Sequence, residues 1–155
     1  KKWFTSLNPS QPIVYRLYVK SLASLAVSGS VDVHSESLTF DQLIIKVSGS
    51  SDMKFGQLSG NSLTAKVSGS GDIAIEKGAA TDLIIKVSGS GKWDSMGLQT
   101  DNVVVAITGS GNVRVRAEET LTINISGSGE LVYSGHPKVT TSVSGSGEVR
   151  SANAN

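Results

Sequence analysis

The chain contains no cysteine, which excludes disulfides, thiol nucleophiles and cysteine-ligated zinc. Neither sign of charge dominates. Fourteen Lys and Arg face thirteen Asp and Glu, a formal net charge of +1, so no global field draws the chain to nucleic acid or to an anionic membrane. No apolar run approaches the roughly 18 residues that span a bilayer. Aromatic residues are scarce, at 5%, and there are only two histidines, His34 and His136. Lys1-Lys2-Trp3-Phe4 begins like a signal-peptide n-region, but Asn8, Pro9, Gln11 and Pro12 stand where an apolar stretch would follow. That segment does not read as a signal peptide. What remains is a length of 155 residues, enough for one domain with a real core.

What the chain has in abundance is one phrase. Val-Ser-Gly-Ser or a close variant occurs seven times, with its first glycine at Gly29, Gly49, Gly69, Gly89, Gly109, Gly127 and Gly145. The steps are four of 20 and then two of 18. A near-fixed period means stacked structural units. Before each turn apolar residues alternate, as in Leu43/Ile45/Val47, Leu83/Ile85/Val87 and Leu121/Ile123/Ile125. Period two places each triplet on one face of a strand. A second short strand follows the turn, as in Met53/Phe55, Ile73/Ile75 and Leu131/Tyr133. These runs are too short and too β-branched for a helical repeat.

Stacking identical positions makes each unit one coil, with parallel strands pairing between coils at about 4.8 Å. The expected fold is all-β: a single-stranded right-handed parallel β-helix of about seven coils of 18–20 residues. Leu38, Leu58 and Leu98, with Ala79 nearby, suggest a third wall, and the two residues missing from each of the last coils fall on that side. One coil alone cannot offset its own ordering entropy, so the ends are the weak points. Residues 1–12, with Trp3, Phe4, Pro9 and Pro12, are read as an N-terminal cap or linker, 13–150 as the β-helix and 151–155 as a polar tail. Ile13–Val19 reads as a strand entering the solenoid.

Each repeat position becomes a column along the rod. Gly49, Gly69, Gly89, Gly109, Gly127 and Gly145 are read as structural corners, since glycine supplies positive φ and close backbone approach. A phosphate cradle needs one such loop opening a helix, and seven copies without a helix argue against it. Asp52, Asp72, Lys92, Asn112, Glu130 and Glu148 follow the corners. A calcium β-roll needs a period near nine, and Lys92 interrupts this column, so no metal site is assigned. Lys46, Lys66 and Lys86 form a second, outward column. Neighbouring lysines at that spacing repel by only about 1 kcal/mol in water, so the row needs no partner and serves simply as a soluble face. Its functional reading is a strip for an acidic polysaccharide or surface polymer.

Enzyme chemistry finds little support. The histidines lie many coils apart, and no Ser-His-Asp set or distinctive carboxylate pair is visible, so no catalytic or cofactor-binding residue is assigned. Asp52, Asp72, Lys54 and Lys92 could be arranged as in β-helices that degrade acidic polysaccharides, but only the architecture recommends it. Trp93 has inward parity and reads as core, with sugar stacking as its alternative.

The seven units, with the run Ile125-Ser126-Gly127-Ser128-Gly129-Glu130-Leu131-Val132-Tyr133-Ser134-Gly135-His136-Pro137, resemble the putative auto-transporter adhesin, head GIN domain family. The resemblance extends from about Ile13 to Arg150, while residues 1–12 do not look like the family's opening strands. It implies a β-helical protein of Bacteroidetes-like bacteria, in the periplasm, on the outer surface or secreted, and brings no catalytic or ligand residues with it. The expected function is a non-enzymatic adhesin-like binding or spacer module, its partner a surface glycan or a host or envelope protein. The alternatives are a polysaccharide-acting β-helix enzyme and a purely structural envelope domain.

Overall fold

The structure, a computed structural model, describes residues 14–153. Its regular elements are eleven strands: β1 (Ser24–Gly29), β2 (Val33–Gly49), β3 (Asp52–Gly69), β4 (Asp72–Gly89), β5 (Lys92–Ser95), β6 (Leu98–Gly109), β7 (Asn112–Arg116), β8 (Thr120–Gly127), β9 (Glu130–Ser134), β10 (Lys138–Gly145) and β11 (Glu148–Ser151). Every pairing among them is parallel and joins one coil to the next. The result is a β-solenoid of about six turns, as the repeat requires. The corner glycines sit in register from Gly29 to Gly145 through every intervening coil.

Burial parity shows three walls. In β3 the buried residues run Met53, Phe55, then Leu58, then Leu63, Ala65 and Val67. The odd-to-even-to-odd switch marks two bends within one continuous strand, since an unbent strand would keep one parity. The first wall carries the triplets that precede the corner. The second carries the pairs that follow it, and the third joins them. Each wall turns its apolar side chains into one shared core.

The third wall differs in detail from its sequence reading. Gly78, not Ala79, occupies the Leu38/Leu58/Leu98 column. Ala79 faces outward. Two residues on, Phe40, Gly60, Ala80 and Thr100 form a further column that the repeat pattern did not reveal. Its members share no chemistry, but they share volume: a Cβ on Gly60 would lie 2.6 Å from Phe40 Cε2, so the ring fills the space glycine leaves. In the shortened coils the loss does fall on this wall. Ala117 turns inward, and the amides of Glu118 and Glu119 donate to the carbonyls of Thr100 and Asp101 at 2.8 and 2.9 Å.

Trp93 is fully buried in the Ile73/Val113 column, so it stacks on no sugar. Its bulk is accommodated by Ser95, the next inward residue, which replaces the Ile75 of the coil before. The indole Nε1 donates to Ser95 Oγ at 2.8 Å, and that hydroxyl donates onward to Arg114 O at 3.4 Å. A buried indole N–H thereby finds the partner it needs.

Both ends correct the sequence reading. Residues 14–19 form no strand, and Tyr18 is 90% exposed. A 20-residue step would set Lys20 over Phe40 at an inward position, and a buried unpaired ammonium is too costly for that register. Ile13 and the proposed cap, 1–12, lie outside the described residues. At the other end Ser151 belongs to β11, and Ala152 N donates to Tyr133 O at 2.7 Å, so the tail begins as paired strand. Ala154 and Asn155 lie outside the described residues.

Candidate binding face

The corner holds the first wall in shape. Gly89 has φ +120°, and its carbonyl accepts from Ser110 N at 2.9 Å, while Gly69 O accepts from Ser90 N at 3.0 Å. A column of amide-to-carbonyl bonds therefore runs through successive corners, beside the first wall. Ser51 takes the place of the second corner glycine in its coil. It is buried, and its Oγ donates to Gly29 O at 3.0 Å.

On the outside of this wall stand three parallel columns. Lys46, Lys66 and Lys86 are stacked in register, exposed, in the middle column. Ala26 precedes them and Ala106 follows, so the charge is confined to three coils. On the corner side run the exposed hydroxyls of Ser48, Ser68, Ser88 and Thr108. On the other side run Ile44, Thr64, Ile84 and Val104, with Ile44 and Val104 each 40% exposed. This apolar column was overlooked in the sequence, although the outward parity of Ile84 beside Lys86 could have revealed it. Where Ala26 replaces lysine, a hollow of ≈ 340 Å³ opens against Lys46 and Lys66.

On the second wall Lys92 is also without an ion pair among the described residues, but four other basic groups are engaged. Lys54 meets Glu76 at 2.8 Å, Arg114 meets Asp94 at 2.9 Å, Arg116 meets Glu118 at 2.7 Å, and Arg150 pairs with Glu130. Among the described residues, Lys46, Lys66 and Lys86 form no such pair. The hydrogen bond and charge of Lys54 hold the Glu76 carboxyl below its ordinary value, and Glu76 likewise raises Lys54. A lowered carboxyl pKa contributes stability above the ordinary carboxylate range and loses it as the pH falls through the lowered value; the raised lysine loses its share only as the pH rises through its own. Both groups are exposed, so the consequence is read at the site. Lys54→Gln should return the Glu76 titration midpoint, followed by carboxyl-carbon NMR, upward to the ordinary range.

The other sequence candidates do not assemble. Asp52, Asp72, Lys92, Asn112, Glu130 and Glu148 do stack in one outward column. Among the described residues, however, no group of three or more His, Asp or Glu side chains could hold a metal ion. Lys54, invoked for polysaccharide cleavage, is engaged by Glu76. His34 lies in β2 and His136 beyond β9, at opposite ends of the rod. A second hollow, of ≈ 460 Å³, opens beside Tyr133, His136 and Asn153 at the last coil. No helix among the described residues is long and apolar enough to cross a membrane.

The pattern described as putative auto-transporter adhesin, head GIN domain, matches residues 1–137. The chain belongs to this family. The match starts at residue 1, so residues 1–12 are part of the family pattern, contrary to the sequence reading, and it ends at Pro137, before the last repeat. Solved structures of the same fold include a putative adhesin from Parabacteroides merdae, with 25% identity, TM-score 0.74, and coverage of 83% of this chain and 57% of the other. A putative adhesin from Parabacteroides distasonis shows 28% identity and TM-score 0.74, over 82% of this chain and 58% of the other. A putative lipid binding protein from the same species shows 25% identity and TM-score 0.57, over 84% and 58%. The chain thus corresponds to little more than half the length of these structures. No curated protein matches it.

Proposed function

We propose that this head GIN family member is a non-enzymatic, adhesin-like module of the cell envelope or of secreted material, and that it binds through the outer face of its first wall. One observation carries the reading: Lys54, Arg114, Arg116 and Arg150 of the second wall are paired with carboxylates and only Lys92 stands alone in its column, whereas among the described residues Lys46, Lys66 and Lys86 stand unpaired as three in a row. An unmatched row of one sign on a rigid, fully paired sheet attracts a partner of the opposite sign and fixes its orientation. The family and its neighbours described as adhesins support recognition over catalysis.

The test is binding of the purified protein to immobilised glycans and extracellular proteins at low and high salt. Replacing Lys46, Lys66 and Lys86 together by glutamine should reduce the binding at least tenfold while leaving the far-UV circular dichroism unchanged. The substitution removes like-charge repulsion from exposed positions, so the fold has no reason to suffer. Full retention of binding by the triple variant would exclude this face.

A further inference from the structure

We infer that the face takes a linear acidic glycan lying parallel to the solenoid axis, its successive carboxylate or sulfate groups meeting Lys46, Lys66 and Lys86. This inference rests on the first wall being the binding surface. The lysines recur once per coil, about 4.8 Å apart, so the charged strip is about 10 Å long over its two inter-coil steps. A matching ligand needs negative charge repeated along a line at similar spacing, which a polymer of acidic sugar units supplies.

The flanking columns favour a sugar over other polyanions. The hydroxyls of Ser48, Ser68 and Ser88 can both donate and accept, as sugar hydroxyls do. On the opposite flank the methyl groups of Ile44 and Ile84 offer an apolar strip to the C–H faces of sugar rings. The three columns carry no aromatic ring on which a nucleobase could stack. The wall's backbone is paired on both sides from β2 through β8, so a peptide strand cannot be added there. No aromatic side chain projects from these columns as an anchor into a lipid interface. The hollow beside Ala26, with Ser28 at its edge, receives one end of the ligand.

Confinement of charge to three coils makes a distinctive prediction, because Ala26 and Ala106 end the row. Affinity should climb steeply with ligand length up to three acidic units and level off by about four. The experiment is calorimetric titration with oligogalacturonates of two to six units. Neutral oligosaccharides of the same length, anionic phosphatidylglycerol vesicles and a single-stranded oligonucleotide serve as competing probes. We expect length-limited, salt-sensitive binding of the uronates alone, lost in the triple Lys→Gln variant. Joint replacement of Ser48, Ser68 and Ser88 by alanine should weaken it several-fold with its salt dependence unchanged. Affinity that keeps rising through six units, equal binding of neutral sugars, or preference for vesicles or the oligonucleotide would overturn the inference. If uronates fail but another ligand binds and is lost in the lysine variant, only the ligand class falls. If uronates bind and the lysine variant keeps them, the face itself is wrong.

Discussion

Trp93→Ala should lower the unfolding free energy by about 3–5 kcal/mol, the range for removing a large buried aromatic from a packed core. Trp93 is completely buried, and Ser95, the adjacent inward residue, is too small to fill the volume that its loss would leave. Denaturant unfolding followed by far-UV circular dichroism measures the loss. Trp93→Phe separates two contributions. It keeps most of the apolar volume but withdraws the indole N–H, and it should cost clearly less than alanine. A Trp93→Ala variant as stable as the parent would mean that the middle of the rod is far more loosely packed than its burial shows.

Gly89→Val should cost about 3 kcal/mol or more, from a strained positive φ of ~1–3 kcal/mol and a displaced inter-coil hydrogen bond of ~1 kcal/mol. A Cβ at Gly89 would lie 2.6 Å from Gly69 O, the acceptor for Ser90 N. The side chain therefore pushes apart two coils that this bond joins. Gly29→Val is the internal control, because that glycine has φ +98° but nothing within 4 Å of its Cβ. It should show the backbone strain without the wedge. Because each coil contacts only its neighbours, damage at Gly89 also weakens coupling between the two halves. The parent should unfold in one transition and the variant in a broader or divided one. Equal losses at Gly29 and Gly89 would show that the corner column of hydrogen bonds contributes nothing.

Much of this was open to inspection in the residues alone. The period of the glycines determined that units stack, and the alternation of Leu43/Ile45/Val47 and its copies determined which side chains turn inward. Both follow from local rules: a strand alternates with period two, and identical units in register place identical residues on one another. The same logic set Lys46, Lys66 and Lys86 in one outward line, and it also gave Trp93 its inward parity.

Packing between coils decided the rest. Phe40 over Gly60 and Trp93 beside Ser95 are exchanges of volume between neighbours, with no shared residue type for a repeat pattern to detect. The segment 14–19 has the composition of a strand, but the register of the repeat would set Lys20 over Phe40, and pairing is a property of two strands, not one. The contrast between matched and unmatched charges likewise needed three dimensions. Lys54 and Glu76 stand 22 positions apart, a coil and two residues, and only their meeting at 2.8 Å shows that this lysine is paired while Lys46, Lys66 and Lys86 form no such pair among the described residues. The solenoid follows from the repeat alone, because a local pattern is copied in register; which charges stay unpaired emerges only from the packed coils, because that depends on what lies across the gap between them.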